Sequence, residues 1–126
     1  MSDLSAQGTA GLPAVAVVMP VRDEAGGLAD AVSAVLSQEY GGDVEVCLAV
    51  APSGDGTAGL AAALAGGDER VRVVDNPAGV TPAGLNAAIR ATTAPVVVRV
   101  DGHSTLPPGY IATAVATLER TGAVNV

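Results

Sequence analysis

The chain has 126 residues, 49% hydrophobic but only 2% aromatic, with a formal net charge of -7 and no lysine, phenylalanine or tryptophan. That length supports one domain with a core of its own and is too short for two ordinary ones. The acidic balance excludes a nucleic-acid backbone or a polybasic membrane patch as partner, since both require clustered positive charge.

In chain order, residues 1–12 are small, polar and glycine-containing, and read as a flexible tail before a domain over 13–126. The tail lacks the basic start and apolar centre of a signal peptide, and no apolar run reaches the roughly 18 residues of a membrane span. Cytoplasm is therefore the expected compartment. Ala14 to Met19 is a β-branched apolar run closed by Pro20, which predicts a first strand. Leu28, Ala31, Val32, Val35 and Leu36 recur at helical spacing and predict an amphipathic helix over 25–38. After Gly41-Gly42-Asp43, the run Val44 to Val50 predicts a second strand. Cys47 lies inside it, is the only cysteine and is expected to be a small core residue.

A second helix is expected over 57–64, capped by Asp55 or Ser53 and ended by Gly66-Gly67. Val71 to Val74 predicts a third strand stopped by Asp75-Asn76-Pro77. Thr81 followed by Pro82 reads as an N-cap and first helical position, with Leu85, Ala88 and Ile89 as the buried face. Val96 to Val100 predicts a fourth strand. Pro107-Pro108 opens a last helix whose stripe is Tyr110, Ile111, Ala114, Val115 and Leu118, ended by Gly122, and Ala123 to Val126 resembles the start of a fifth strand. Strand-helix alternation with short connections specifies an α/β domain with a mainly parallel sheet.

Parallel strands deliver their following loops to one edge, where ligands of this architecture bind. That edge receives Arg22, Asp23 and Glu24, then Ser53, Gly54 and Asp55, then Asp75 and Asn76, and finally Asp101, Gly102 and His103. The first turn has neither a G-x-G-x-x-G fingerprint nor the G-K-[ST] of a P-loop, so dehydrogenases and P-loop nucleotidases are disfavoured. Ser53 is not in a G-x-S-x-G elbow, and one histidine with one cysteine makes a structural zinc site implausible. A metal-assisted diphosphate site remains open, because a divalent cation bridging phosphates takes only one or two protein ligands.

With these pieces in order, the chain resembles the nucleotide-sugar-binding half of a family 2 glycosyltransferase, from about residue 14 to 126. The resemblance rests on Val17-Val18-Met19-Pro20-Val21-Arg22-Asp23-Glu24, Ser37-Gln38-Glu39-Tyr40, Glu45-Val46, Ser53-Gly54-Asp55-Gly56-Thr57, Asp75-Asn76-Pro77, Gly84-Leu85-Asn86-Ala87-Ala88-Ile89 and Val100-Asp101-Gly102-His103. The wording around His103 and Pro107-Pro108-Gly109-Tyr110 looks closest to a succinoglycan-biosynthesis-like branch, which makes polysaccharides or glycolipids.

The resemblance implies a three-layer α/β/α GT-A (Rossmann-like) fold, truncated here. It also implies transfer of a sugar, with inversion, from a nucleoside-diphosphate donor to the hydroxyl of a saccharide or lipid-linked acceptor. By the same token Pro20, Arg22 and Glu24 would line the base and ribose pocket, and Asn86 would shape the donor loop. Asp101 and Gly102 would contact the donor, and Asp101 with His103 would hold Mn2+ or Mg2+. Two departures stand out. Val50-Ala51-Pro52 replaces the acid that usually reads the base, and His103 stands where the D-x-D motif has its second acid, so it either ligates metal or donates a hydrogen bond to phosphate. The family's general base lies beyond Val126, so this chain is expected to be a donor-binding half that is inactive alone. Any membrane contact, at the inner face of the cell membrane, would come through a missing C-terminal part. The alternatives are a non-catalytic nucleotide-binding module or degenerate remnant, and a sugar-phosphate nucleotidyltransferase. The latter class normally carries a glycine-rich basic loop that Arg22-Asp23-Glu24 does not match. The unfinished apolar strand at Ala123 to Val126 predicts marginal stability of the isolated domain.

Overall fold

A computed structural model describes residues 12–101 and 106–121. Of the expected tail only Leu12 is described, and it is exposed. Gly102, His103, Gly122 and Ala123–Val126 lie outside the described residues.

The elements are β1 (Val15–Val21), α1 (Leu28–Leu36), β2 (Val44–Val50), α2 (Thr57–Gly67), β3 (Val71–Asp75), α3 (Thr81–Arg90), β4 (Val96–Arg99) and α4 (Tyr110–Thr121). The described strands form one sheet of order β3-β2-β1-β4, parallel throughout. Residues of α1, α2 and α4 join one buried cluster with Val15, Val17, Met19, Leu48 and Val98. Ala88 and Leu85 of α3 join the other, with Val18, Cys47 and Ala49. Helices therefore cover both faces, which is the three-layer α/β architecture expected from the alternating pattern. β1 lies between two strands and two helical layers, so Val15–Met19 are at most 1% exposed. Such double burial is why its sequence is continuously apolar rather than alternating. Among the described residues, no helix is long and apolar enough to cross a membrane.

Several boundaries differ from the sequence expectation for identifiable reasons. β1 does not close at Pro20 but runs on to Val21. Its odd-numbered residues bond toward β2: the Val15 amide donates to the Asp43 carbonyl, and the Val21 carbonyl accepts from the Ala51 amide. Its even-numbered residues bond toward β4, where the Val18 carbonyl accepts from the Val100 amide at 3.1 Å. Pro20 falls in the even set. The donor it lacks is on the β4 side, one step beyond that bond, so β1 stays paired with β2 while parting from β4.

Helix α1 begins at Leu28 rather than Ala25, because the Glu24 carbonyl closes a turn by accepting from the amides of both Gly27 and Leu28. It ends at Leu36, before the expected Gln38. There the Ser37 hydroxyl donates to the Ser33 carbonyl, and the Gln38 amide drops to a three-residue bond with Val35. Helix α2 continues through both glycines to Gly67, and β4 stops one residue before Val100.

In α3, Val80 rather than Thr81 is the cap, and no side-chain cap bond is formed. Its buried face matches the expected one at Ala88 but not at Ile89. Gly84 and Ala88 are buried, Leu85 is half-buried, and Ile89 is 46% exposed. The sheet face beneath carries small side chains, and a Cβ on Gly84 would lie 3.4 Å from that of Ala49. The helix therefore seats its small-residue stripe on the sheet, which turns Ile89, one position past Ala88, about 100° away from it. Cys47 is buried as expected, and its burial pushes the thiol up from its ordinary range.

Candidate functional site

Two consecutive crossovers place β2 and β3 on one side of β1, and the third returns the chain to set β4 on the other side. The reversal makes the β1/β4 boundary a topological switch point, where the loops diverge and leave a crevice at the carboxyl edge. The early parting of these strands at Pro20 widens it. A cleft of about 600 Å³ occupies this place.

Its walls come from four turns. β1 and its loop supply Pro20, Val21, Arg22 and Glu24, and the turn after β2 supplies Ala51. From the β3–α3 connection come Asn76 and Gly79, followed by Val80, Thr81 and Pro82 where α3 opens. Arg99 and Asp101 close the cleft from β4. The sequence-predicted residues Pro20, Arg22, Glu24 and Asp101 are thus brought together. Asn86 is not: it sits exposed on α3, away from this lining. Gly102 and His103 follow Asp101 but lie outside the described residues.

The loop carrying Arg22 and Glu24 is pinned to its neighbour through its backbone. Asp23 adopts a left-handed conformation with φ 49°. Its amide donates to Ser53 Oγ at 3.0 Å, and its own carboxylate accepts from the Gly54 amide at 2.9 Å. Next along the loop, the Glu24 amide donates to the buried hydroxyl of Thr57 at 2.9 Å and the Ala25 amide to Asp55 Oδ2 at 3.1 Å. Asp55 Oδ1 also accepts from the Thr57 amide and hydroxyl. These bonds, the Thr57 hydroxyl foremost, hold the Asp55 carboxyl below its ordinary range. Ser53 and Asp55 therefore position the loop. The expected cap at Asp55 works from one place before Gly56, whose φ of 84° needs a glycine.

On the opposite wall, buried Asn76 was legible only as a polar turn residue. Its Nδ2 donates to the Val80 carbonyl at 3.0 Å, its amide to the Val50 carbonyl, and its carbonyl accepts from Gly79, which has φ 75°. Asn76 thereby fixes the entry into α3, whose first residues Thr81 and Pro82 line the cleft. Arg99 Nη2 lies 3.2 Å from Asp101 Oδ1, and both side chains are about half exposed.

Charge is balanced here, with Arg22 and Arg99 against Glu24 and Asp101. In a chain of net charge -7 with six arginines, placing two of them at one cleft makes this edge far less repulsive to an anion than the remaining surface. The positive end of the α3 dipole adds to that. Among the described residues, no group of three or more His, Cys, Asp or Glu side chains is placed to hold a metal by itself. Asp101 offers one accessible carboxylate, which suits a cation that takes its remaining ligands from phosphate and water.

The model for glycosyl transferase family 2 matches residues 16–126. No curated protein matches the chain. Among solved structures, S. aureus TarS superposes with a TM-score of 0.69 at 15% identity, over 86% of this chain and 20% of that one. The mannosyltransferase PcManGT from Pyrobaculum calidifontis, in complex with GDP-Man and Mn2+, gives 0.70 at 24% identity, over 83% and 31%. A structure of S. aureus TarS 1-349 with UDP-GlcNAc gives 0.68 at 15% identity, over 84% and 31%. The chain therefore spans between a fifth and a third of these structures. At such identities the likeness establishes the shared GT-A fold.

Proposed function

Because the chain belongs to glycosyl transferase family 2, we propose that the switch-point cleft receives the nucleoside-diphosphate part of a sugar donor. The observation that carries this reading is the joining of Arg22, Glu24, Arg99 and Asp101 around one charge-balanced crevice between β1 and β4. Bound GDP-Man and UDP-GlcNAc in the similar structures support the ligand class.

In this reading Pro20 and Val21 give the nucleoside an apolar floor, and Arg22 and Glu24 contact the base and ribose. Ala51 and Pro52 leave the base without the acidic contact expected after β2, so base choice falls to the β1 loop. Asp101, with Gly102 and His103 beyond it, attends the diphosphate. Asp101 and His103 would hold Mn2+ or Mg2+, which would supply charge compensation for the diphosphate. The acceptor is a saccharide or lipid-linked hydroxyl, and attack from the face opposite the leaving group gives inversion. Neither Glu24 nor Asp101, both serving the donor, is assigned the acceptor proton.

Calorimetric titration of the chain and its Asp101→Ala variant with UDP, GDP and their sugars, with and without Mn2+, tests the reading. Saturable binding weakened by the substitution is expected. An absence of binding to every nucleotide at millimolar concentration would overturn it.

A further inference from the structure

β4 is a run of valines interrupted by one arginine. Val96, Val98 and Val100 point into the larger core, whereas Val97 joins the cluster on the opposite face. By alternation Arg99 and Asp101 share that second face, and both line the cleft. Packing gives Arg99 no reason to be arginine, since its side chain is 51% exposed. Among the described residues its side chain makes one hydrogen bond, to Asp101 at 3.2 Å. A half-exposed pair joined by a single contact is weakly held and readily exchanged. Most of the guanidinium fork remains unused, and a fork of this kind matches two phosphate oxygens better than one carboxylate oxygen.

From this geometry we infer that Arg99 is the diphosphate-selecting residue of the cleft, paired with Asp101 until a donor diphosphate takes its place. The inference rests on the donor-site reading above and goes beyond it by assigning the selection of two phosphates over one. Arg22 does not compete for this role, because it leaves β1 beside Glu24 at the wall given to the nucleoside. Arg99 lines the cleft from β4 and Val80, Thr81 and Pro82 line it where α3 opens, so an anion in the cleft meets both the guanidinium and the positive end of the α3 dipole. The exchange is also productive for Asp101. Once Arg99 turns to phosphate, the carboxylate is released toward the ribose or a cation rather than neutralised by its neighbour.

The test compares UDP with UMP, and GDP with GMP, by calorimetry on the chain and on Arg99→Met and Arg99→Lys, with folding checked by circular dichroism. Wild type is expected to prefer the diphosphate. Arg99→Met is expected to cut diphosphate affinity roughly tenfold, the scale of one lost charge-assisted hydrogen bond, with little effect on the monophosphate. Arg99→Lys should restore part of the preference, because charge is kept but the fork is not. Wild-type preference that persists unchanged in Arg99→Met overturns the inference and leaves the donor site standing. Equal loss of both ligands also overturns it, marking Arg99 as structural. If wild type binds no nucleotide at all, the donor reading itself fails and the inference falls with it.

Discussion

Asp55 Oδ2 accepts a hydrogen bond from the amide of Ala25, 30 residues earlier in the chain, at 3.1 Å. With Thr57 accepting from Glu24 one residue before, it ties the loop after β1 to the first turn of α2. Neither Asp55 nor Thr57 lines the cleft, yet both hold the segment that carries Arg22 and Glu24. Thr57→Val keeps the buried shape but removes the hydroxyl's bonds to the Glu24 amide and to Asp55, and should cost about 1–3 kcal/mol. Asp55→Ala should lower the melting temperature as well. In both variants hydrogen exchange at Glu24 and Ala25 should speed up while β2 amides stay protected. Unchanged exchange at these two amides would contradict the pinning role.

Acid should act through two depressed carboxyls. Asp55 is held low by Thr57, and Asp68 is held at about 2 by the Arg70 side chain and amide. A lower folded-state pKa means that the unfolded chain binds the proton more readily. The associated stability is present above the ordinary carboxylate value and is lost as pH falls through the folded one. Melting temperature should therefore hold steady above about pH 4 and decline from there toward pH 2. Asp68→Asn should flatten the lower part of that decline. Asp55 is exposed and Asp68 partly so, and added salt should therefore shrink the effect. A decline that Asp68→Asn leaves untouched would remove Asp68 from the explanation.

Gly84 is where α3 approaches the sheet, and a Cβ there would sit 2.8 Å from Asn76 Nδ2. That nitrogen is not free to retreat, because Asn76 is buried and donates to the Val80 carbonyl. Gly84→Ala should thus destabilise by about 1–3 kcal/mol through overpacking, despite the higher helix propensity of alanine. It should also weaken nucleotide binding by displacing Val80 and Thr81. Denaturant unfolding measures the first effect and titration the second; a stabilised variant would show that the helix is more loosely seated.

Gln38 links the end of α1 to the start of α4. Its Nε2 donates to the Pro107 carbonyl at 2.8 Å, and its Oε1 accepts from the Ile111 amide at 2.9 Å. Gln38→Ala removes both contacts from a half-buried site and should cost about 1–2 kcal/mol. Exchange at Ile111 should accelerate more than at Val32 of α1. Equal protection in the variant would mean that α4 is held by its apolar stripe alone.

The legible part of the molecule was the part governed by local pattern. Val46–Val50 is apolar throughout because it is covered on both faces, and the bounds of Val44–Val50 match the expected strand residue for residue. The stripe of α4 is equally direct, with Ile111, Ala114 and Val115 buried where helical spacing puts them. Errors arose where a distant partner decided the matter. Nothing near Ile89 in the sequence says that Gly84 and Ala88 will face a shallow sheet surface, so the larger residue was assigned to the core. Pro20 looked like a stop because its missing donor counts against a strand, yet the ladder on that side had already ended. In the cleft, Pro20, Arg22, Glu24 and Asp101 were visible as loop chemistry at strand ends. Arg99 was hidden inside a strand, and Asn76 looked like an ordinary turn residue. An arginine out of step with its valine neighbours was the available signal for the former.

The most direct test of the donor cleft is an amide NMR titration of the chain with UDP and GDP in the presence of Mg2+. Shifts should concentrate at Arg22, Glu24, Thr81 and Arg99, which meet only at the β1/β4 crevice. Shifts confined to the groove between α1 and α2, around Val32, Leu64 and Arg70, or no shifts at millimolar nucleotide, would contradict it.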